Sequence, residues 1–178
     1  AVTYSMGSGS RPHSLVIGDF NPDDKLDIAV ADYGPNNVGI RLGTGNGTFP
    51  AVNTFATGTG PHSIRTGDLN GDGRLDLVTA NDQSETASIL LGNANGTFAA
   101  RTDYAVGKVP KGIAIGDVDG DGIPDVLSGN TGGNYPTCCV ATGGDNVSVL
   151  IGTGNGTFLP KYEVTVGITP FAVIVTDL

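Results

Sequence analysis

The chain has 178 residues, of which 29 are Gly and 10 are Pro, with no Trp and one Met. This composition is typical of short strands joined by tight turns, so we expect an all-β fold. The formal net charge of −9, with nine Lys and Arg, excludes the clustered positive surface that nucleic acid or an anionic membrane requires.

No membrane insertion is expected, because the chain has no run of about 18 to 20 apolar residues. The first residues, Ala1 to Tyr4, lack a charged segment followed by an apolar one. Any export signal is therefore expected to have been removed already.

A repeat organises the chain. Gly18, Gly67 and Gly116 follow one another at 49 residues, as do Pro12, Pro61 and Pro110. The third unit is longer, since Gly156 follows Gly96 by 60 residues, which predicts an insertion near 131–139. We expect one repeat domain, 1–178, with units near 1–48, 49–97 and 98–157 and a partial unit at 158–178.

Each unit has room for four strands separated by Gly, Asn, Asp and Pro. In the second unit we expect them at 51–57, 63–67, 75–80 and 87–91. A four-stranded unit of about 40 to 50 residues is the size of one β-propeller blade. A parallel β-solenoid is the alternative, although its coils are usually shorter.

The predicted fold is therefore about three and a half propeller blades, part of a larger propeller or assembly. A closed propeller needs about four to eight blades, so these residues alone would leave strand edges open. Either a longer array or another copy of the chain is expected to cover them, and pairing between copies would give a ring or a filament.

Three loops carry oxygen side chains at positions 1, 3, 5 and 9. Calcium takes about six to eight oxygen ligands, and a tight loop can direct alternate side chains and one backbone carbonyl towards a common centre. The candidate ligands are Asp19, Asn21, Asp23 and Asp27, then Asp68, Asn70, Asp72 and Asp76, then Asp117, Asp119, Asp121 and Asp125, with position 7 carbonyls from Lys25, Arg74 and Ile123.

Position 6 of each loop needs a sharp turn. Gly73 and Gly122 suit that turn, and Asp24 takes the same place in the first loop. Asp at position 9 and the flanking strands separate these loops from EF-hands. Metal-free turns would explain one such loop, but three in register predict about three structural Ca²⁺ sites. Three Ca²⁺ would bring the formal charge from −9 to −3.

The sequence Gly-Asp-Leu-Asn-Gly-Asp-Gly-Arg-Leu-Asp-Leu at 67–77, followed by Leu-Leu-Gly-Asn-Ala-Asn-Gly-Thr-Phe at 90–98, resembles the FG-GAP/VCBS repeats of integrin-α-like propellers. The resemblance covers nearly the whole chain. It implies blades with calcium in an inter-strand loop, a secreted or cell-surface location, and the same twelve ligand side chains. The departures are Pro22-Asp23-Asp24, the insertion, and a fourth loop that retains Asp177.

Four Asn-x-Ser/Thr sequences are candidate glycosylation sites. Asn46, Asn95 and Asn155 lie in repeated Asn-Gly-Thr turns, and Asn146 lies in Asn-Val-Ser. Asn-Gly also favours hairpin turns without any sugar. The adjacent Cys138 and Cys139 are either two free thiols or a vicinal disulfide.

Two further sets of residues recur with the repeat. Phe49, Phe98 and Phe158 are expected to anchor the contacts between blades. His13 and His62 follow the repeated Pro, but Lys111 takes that place in the third unit, so we interpret both as surface or packing residues.

The predicted function is a non-catalytic extracellular calcium-binding module with an adhesive or structural role. The alternatives are a lectin-like propeller and an accessory domain of a secreted enzyme. The sequence has no feature that indicates catalysis: we find no paired carboxylates outside the loops, no Ser-His-Asp arrangement and no phosphate-binding loop. Expected partners are proteins or glycans at the cell surface or matrix, with self-association through open blade edges.

Overall fold

The computed structural model describes residues 3–133, 145–167 and 170–176. Within these ranges no helix has the length and apolar character needed to cross a bilayer. The regular elements are strands: β1 (Pro12–Gly18), β2 (Asp27–Asp32), β3 (Asn37–Arg41), β4 (Asn53–Ala56), β5 (Pro61–Gly67), β6 (Asp76–Asn81), β7 (Thr86–Leu90), β8 (Thr102–Ala105), β9 (Pro110–Gly116), β10 (Asp125–Thr131), β11 (Asp145–Leu150) and β12 (Tyr162–Thr165).

These strands form three antiparallel sheets of four strands, each in sequence order. Sheet 1 contains β1 to β4, sheet 2 contains β5 to β8, and sheet 3 contains β9 to β12. The first two strands of every sheet pair in the same register, which places Gly18, Gly67 and Gly116 opposite the Asp that begins the next strand. The prediction of an all-β fold made of four-stranded propeller blades is confirmed.

The sheets have the period of the sequence repeat but begin at a different residue. We expected 51–57 to open the second unit, whereas β4 pairs with β3 and completes sheet 1. In the same way β8 pairs with β7 and completes sheet 2. A repeat length does not show which strand is first, because that depends on hydrogen bonding between strands.

The extra residues of the third repeat lie between β10 and β11. This connection runs from 132 to 144, whereas the corresponding connections are 33–36 and 82–85. Thr131, the first residue of the expected insertion, ends β10 and pairs with Asp145. Residues 134–139 of that insertion, with Cys138 and Cys139, lie outside the described residues, so the disulfide stays a prediction.

The first strands of the three sheets lie side by side, β1 against β5 and β5 against β9. Residues 170–176 continue this series without forming a strand. A Cβ on Gly116 would lie 2.5 Å from Cγ1 of Val175, which shows how closely this segment approaches β9. Three blades are therefore followed by a segment in the place of a further first strand.

The apolar core fills the two junctions between sheets. The junction of sheets 1 and 2 buries Phe20, Val38, Ile40, Ile64, Leu77, Leu90 and Phe98, and that of sheets 2 and 3 buries Leu69, Val78, Ile89, Ile113, Val126, Leu150 and Phe158. Phe98 and Phe158 therefore anchor contacts between blades, while Phe49 is half-buried and packs edge-on against Tyr4.

The face of sheet 1 that points away from sheet 2 is exposed along β1, whereas the segment at residues 4–6 lies against β3, where a Cβ on Gly39 would meet the Met6 side chain. Leu15 is 60% exposed, whereas its repeat equivalents, Ile64 and Ile113, are completely buried in the two junctions. Leu26 is 62% exposed, and its equivalent, Leu75, packs against the junction of sheets 1 and 2. This face has the apolar residues of a blade junction without a neighbouring sheet.

Candidate metal centre

Each acidic loop connects the first and second strands of a sheet, so all three loops lie on the same edge of the molecule. The position 1 carboxylate organises the loop. Oδ1 of Asp68 accepts N–H bonds from Asn70, Gly71 and Asp72, and Oδ2 accepts one from Gly73 at 2.8 Å. Burial alone would raise the pKa of Asp68, but these backbone hydrogen bonds lower it overall.

The third loop closes in the same way. Oδ1 of Asp117 accepts the Gly120 N–H at 2.7 Å, and Oδ2 accepts the Gly122 N–H at 2.8 Å. The Gly122 bond is the main cause of the lowered pKa of Asp117. The backbone hydrogen bonds therefore favour the charged forms of Asp68 and Asp117.

The turn at position 6 has the geometry that the sequence suggested. Gly73 and Gly122 have φ of 78° and 82°, and Asp24 has φ of 62°. Position 4 is also left-handed, with Gly71 at 73° and Gly120 at 83°. Pro22 occupies this position in the first loop at φ 24°, far from the value near −65° that its ring favours.

The position 9 aspartates have a structural role that sequence reasoning missed. Asp27, Asp76 and Asp125 are fully buried. In each, Oδ2 accepts the N–H of the position 2 residue at 2.8 Å, and Oδ1 accepts a glycine N–H from the loop after the third strand at 2.7 or 2.8 Å. Each carboxylate therefore joins two loops of its own sheet.

The glycines that donate these bonds are Gly43, Gly92 and Gly152. A Cβ on any of them would lie within 2.3 Å of the carbonyl oxygen of the residue at position 8. Their recurrence in the repeat was the available sequence signal for this contact. Burial raises the pKa of Asp76, although the N–H groups of Gly92 and Leu69 offset part of the rise.

The third loop brings acidic ligands together most closely. Oxygen atoms of Asp117, Asp119 and Asp125 lie within 4.8 Å of one another, the one such acidic group in the part of the chain that the structure describes. Burial, followed by the charges of nearby carboxylates, raises the pKa of Asp119. Asp121 is outside this group, and its Oδ1 accepts the Ile123 N–H at 2.8 Å.

In the first two loops a basic side chain at position 7 contacts the position 5 carboxylate. Lys25 Nζ lies 2.9 Å from Asp23 Oδ2, and Arg74 lies 2.9 Å from Asp72 Oδ2. The Lys25 hydrogen bond is the main cause of the lowered pKa of Asp23. These pairs are partly exposed and contribute little to stability.

The donor set fits a hard cation. Carboxylate, amide and backbone oxygens are the ligands that Ca²⁺ prefers. In the first loop the side-chain oxygen of Asn21, at ligand position 3, is buried and has no hydrogen-bond partner among the described residues. A cation would satisfy this oxygen and reduce the repulsion between the crowded carboxylates.

Each of the first two acidic loops also contacts the next sheet. Gly156 N–H donates to the Leu69 carbonyl at 3.2 Å, and Leu69 is the position 2 residue of the second loop. In the first loop the position 2 residue, Phe20, packs edge-on against Phe98 with ring centroids 5.8 Å apart. The order of a metal loop is thus connected directly to the packing between blades.

The predicted glycosylation sites fall into two structural groups. Asn46, Asn95 and Asn155 are exposed in turns on the acidic-loop edge, and each Oδ1 accepts hydrogen bonds from the Thr two residues later. Asn146 is half-buried in β11, where its Nδ2 donates to Glu163 at 3.0 Å.

Family comparison agrees with this architecture. The FG-GAP-like repeat matches residues 19–79 and 68–128, and the FG-GAP repeat matches residues 110–151. These ranges include all three acidic loops. A comparison with curated proteins gave no match.

Among solved structures, the chain is similar to an Agrocybe aegerita lectin that specifically recognises non-reducing terminal N-acetylglucosamine. The identity is 21% and the TM-score is 0.53, over 89% of this chain and 38% of that one. The chain therefore spans less than half the length of this structural neighbour.

Proposed function

Because the chain belongs to the FG-GAP repeat family, we propose that it is a non-catalytic, extracellular calcium-binding module with an adhesive or structural role. The observation that carries this proposal is the position of the acidic loops. The first two contact the following sheet through their position 2 residue. Calcium bound there would stabilise blade packing as well as the loop.

The residues that would hold calcium are the loop side chains at positions 1, 3, 5 and 9 with the position 7 carbonyl. Bound calcium would attract each carboxylate and so offset the repulsion among these negative charges. The buried position 9 carboxylates keep the loop attached to its sheet through their two N–H bonds. The unpaired Asn21 oxygen supports occupancy of the first loop.

Thermal unfolding with and without calcium tests the proposal. Filling one site at about a hundredfold excess over its Kd would add about 2.7 kcal/mol to the free energy of unfolding. We expect a melting temperature that falls markedly in chelator and returns with Ca²⁺ but not with the same concentration of Mg²⁺. Equal melting temperatures in calcium and chelator would overturn the proposal.

The adhesive or structural role has a separate test. The apolar residues exposed along β1 support association of sheet 1 with another sheet of the same kind. The proposed external partner is a protein or glycan at the cell surface or matrix. Light scattering with electron microscopy would measure particle mass in calcium and in chelator. We expect a large particle that dissociates in chelator, and a compact monomer in both conditions would contradict assembly.

A carbohydrate-binding role is the second candidate. Its support is the fold shared with the Agrocybe aegerita lectin, which recognises N-acetylglucosamine. Binding of the whole chain to a glycan array, repeated in chelator, would test it. Retention of no glycan in calcium would exclude this candidate while leaving the structural role intact.

A further inference from the structure

A cavity of about 530 Å³ opens on the edge of the molecule opposite the acidic loops. It lies where the strands β5 and β9 begin and the connection after β6 turns back. Its lining includes Tyr33, His62, Asp82, Gln83, Glu85 and Lys111. We call it the inter-sheet cavity, and its size is within the range of small-molecule sites.

An ion pair between a partly buried lysine and a buried aspartate forms one wall of the inter-sheet cavity. Lys111 Nζ lies 2.6 Å from Asp82 Oδ2, and the two side chains are 17% and 7% exposed. Among the described residues Asp82 is the one hydrogen-bond acceptor of this ammonium group, which carries three donors. The second oxygen, Asp82 Oδ1, is buried without a hydrogen-bond partner in the same set.

An incompletely hydrogen-bonded ion pair is costly to bury. The cost falls when a neighbouring hydroxyl group accepts from the ammonium and donates to the carboxylate. Asp82 Oδ1 also adjoins Gly60, where a Cβ would lie 2.4 Å away, so the glycine leaves room for this carboxylate. The wall therefore provides a donor and an acceptor side by side.

The aromatic rings of Tyr33 and His62 also line the cavity, and both contact His13, which lies outside the lining. His13 stacks on Tyr33 with ring centroids 4.6 Å apart, and His62 meets His13 edge-on at 4.9 Å. Burial, followed by the positive charge of Lys111, lowers the pKa of His62, which favours the neutral imidazole. The rings offer apolar faces beside the polar pair.

The charges of the lining disfavour ionic ligands. Lys111 opposes a cation, while the carboxylates of Asp82 and Glu85 oppose an anion. A neutral molecule rich in hydroxyl groups uses both members of the pair and a ring face together.

We propose that the inter-sheet cavity binds one residue of a neutral saccharide, with its hydroxyl groups on Asp82 and Lys111 and one ring face against Tyr33 or His62. The proposal rests on the carbohydrate-binding candidate above and assigns it to specific residues. Only one of the two described junctions has this pair, because Tyr33 and His62 take the places of Asp82 and Lys111 at the junction of sheets 1 and 2.

The test uses the full chain in calcium. Saturation-transfer NMR with methyl glycosides of glucose, galactose, mannose and N-acetylglucosamine would identify a bound sugar, and calorimetry would give its Kd. The D82Y/K111H double variant copies the residues of the first junction and should weaken binding at least about tenfold. Glu85, an exposed residue of the lining, supplies a milder variant, E85Q, for which we expect weakening by a smaller factor.

Lys108, exposed and outside the lining, supplies the control K108Q, which should bind like the unmodified chain. Melting temperatures of all variants would show that the fold is retained. If a glycan binds equally well to D82Y/K111H and E85Q, the cavity assignment is overturned while the carbohydrate role stands. If no glycoside or array glycan binds, the cavity assignment and the carbohydrate-binding candidate both fail. The cavity assignment would also be overturned if a ligand that is not a sugar, either N-acetyl-lysine amide or acetate, binds more strongly than any glycoside.

Discussion

At the scale of single residues, the position 9 aspartates combine two roles that are usually considered separately. Asp125 is a candidate ligand in the one tight acidic group of the described chain, and it also accepts two backbone N–H bonds while fully buried. A carboxylate has enough lone pairs to accept both bonds and still face a cation. Its structural contribution should therefore persist without metal.

Replacing Asp125 with Asn tests this separation. The amide would turn a donor towards either the Val118 or the Gly152 N–H, leaving a buried donor unpaired at a cost of about 1 to 3 kcal/mol. We expect D125N to lose stability in chelator as well as in calcium, measured by denaturant unfolding. The matched D121N change, at an exposed ligand position, should lower stability in calcium alone. Equal stability of D125N and the unmodified chain in chelator would show that the two backbone bonds of Asp125 do not stabilise the fold.

His62 gives the molecule a pH dependence. Its pKa is lowered from the ordinary value of 6.5, first by burial and then by Lys111 and His13, while Asp82 acts in the opposite direction. As pH falls below 6.5, the unfolded chain takes up a proton that the folded chain resists. This contribution to stability is full above 6.5 and is lost as the pH falls towards the lower folded-state pKa.

We therefore expect the free energy of unfolding to decrease between about pH 7 and pH 5 more steeply in the unmodified chain than in H62Q. Denaturant unfolding in chelator across this range would measure the difference without competition from metal binding. His13, the neighbouring ring, supplies the comparison variant H13Q. Parallel pH profiles for H62Q and the unmodified chain would show that burial of His62 has no such effect.

At the scale of elements, the three acidic loops are similar but not equivalent. The second and third have glycine at both left-handed positions, whereas the first has Pro22 and Asp24 there. A non-glycine residue in this region costs about 1 to 2 kcal/mol, and proline adds the constraint of its ring. The first loop should consequently bind calcium more weakly than the second.

Exchange of position 4 residues between loops tests this ranking. We expect P22G to strengthen calcium binding at the first loop and G71P to weaken it at the second, each by about tenfold or 1.4 kcal/mol. Calorimetric titration of both variants and the unmodified chain would measure the affinities. Weaker calcium binding by P22G would show that the proline favours the bound loop.

At the scale of the whole molecule, the exposed face of sheet 1 can be compared with its buried copies. Leu15 and Ile64 occupy the same repeat position at 60% and 0% exposure. A charged side chain in place of Leu15 would remain in water, whereas one in place of Ile64 would have to be buried, which costs several kcal/mol. We expect L15E to keep its melting temperature and to reduce self-association, and I64E to unfold.

Light scattering and circular dichroism would measure both outcomes. An exposed substitution usually changes stability by less than about 0.5 kcal/mol. Strong destabilisation by L15E would mean that another sheet already covers this face in solution. Unchanged association of L15E would exclude the face from assembly.

The sequence by itself determined the features that depend on local chemistry and period. Gly73 and Gly122 identified a left-handed turn, the recurrent Gly-Asp pairs identified the repeat, and alternating oxygen side chains identified candidate metal loops. Four-stranded units also followed, because strand length and turn residues are local properties. These inferences need no knowledge of which residues meet in space.

Only the tertiary structure decided which strand completes each sheet, because antiparallel pairing between β3 and β4 is a contact between segments. It also showed that Asp125 binds the N–H of Gly152, 27 residues away, and that Asp82 meets Lys111 across the junction of two sheets. Such contacts depend on chain packing between separate repeats. A position in the repeat fixes where a residue lies within its own sheet. Whether that residue is in the core, on the surface or in a cavity depends on the neighbouring sheet.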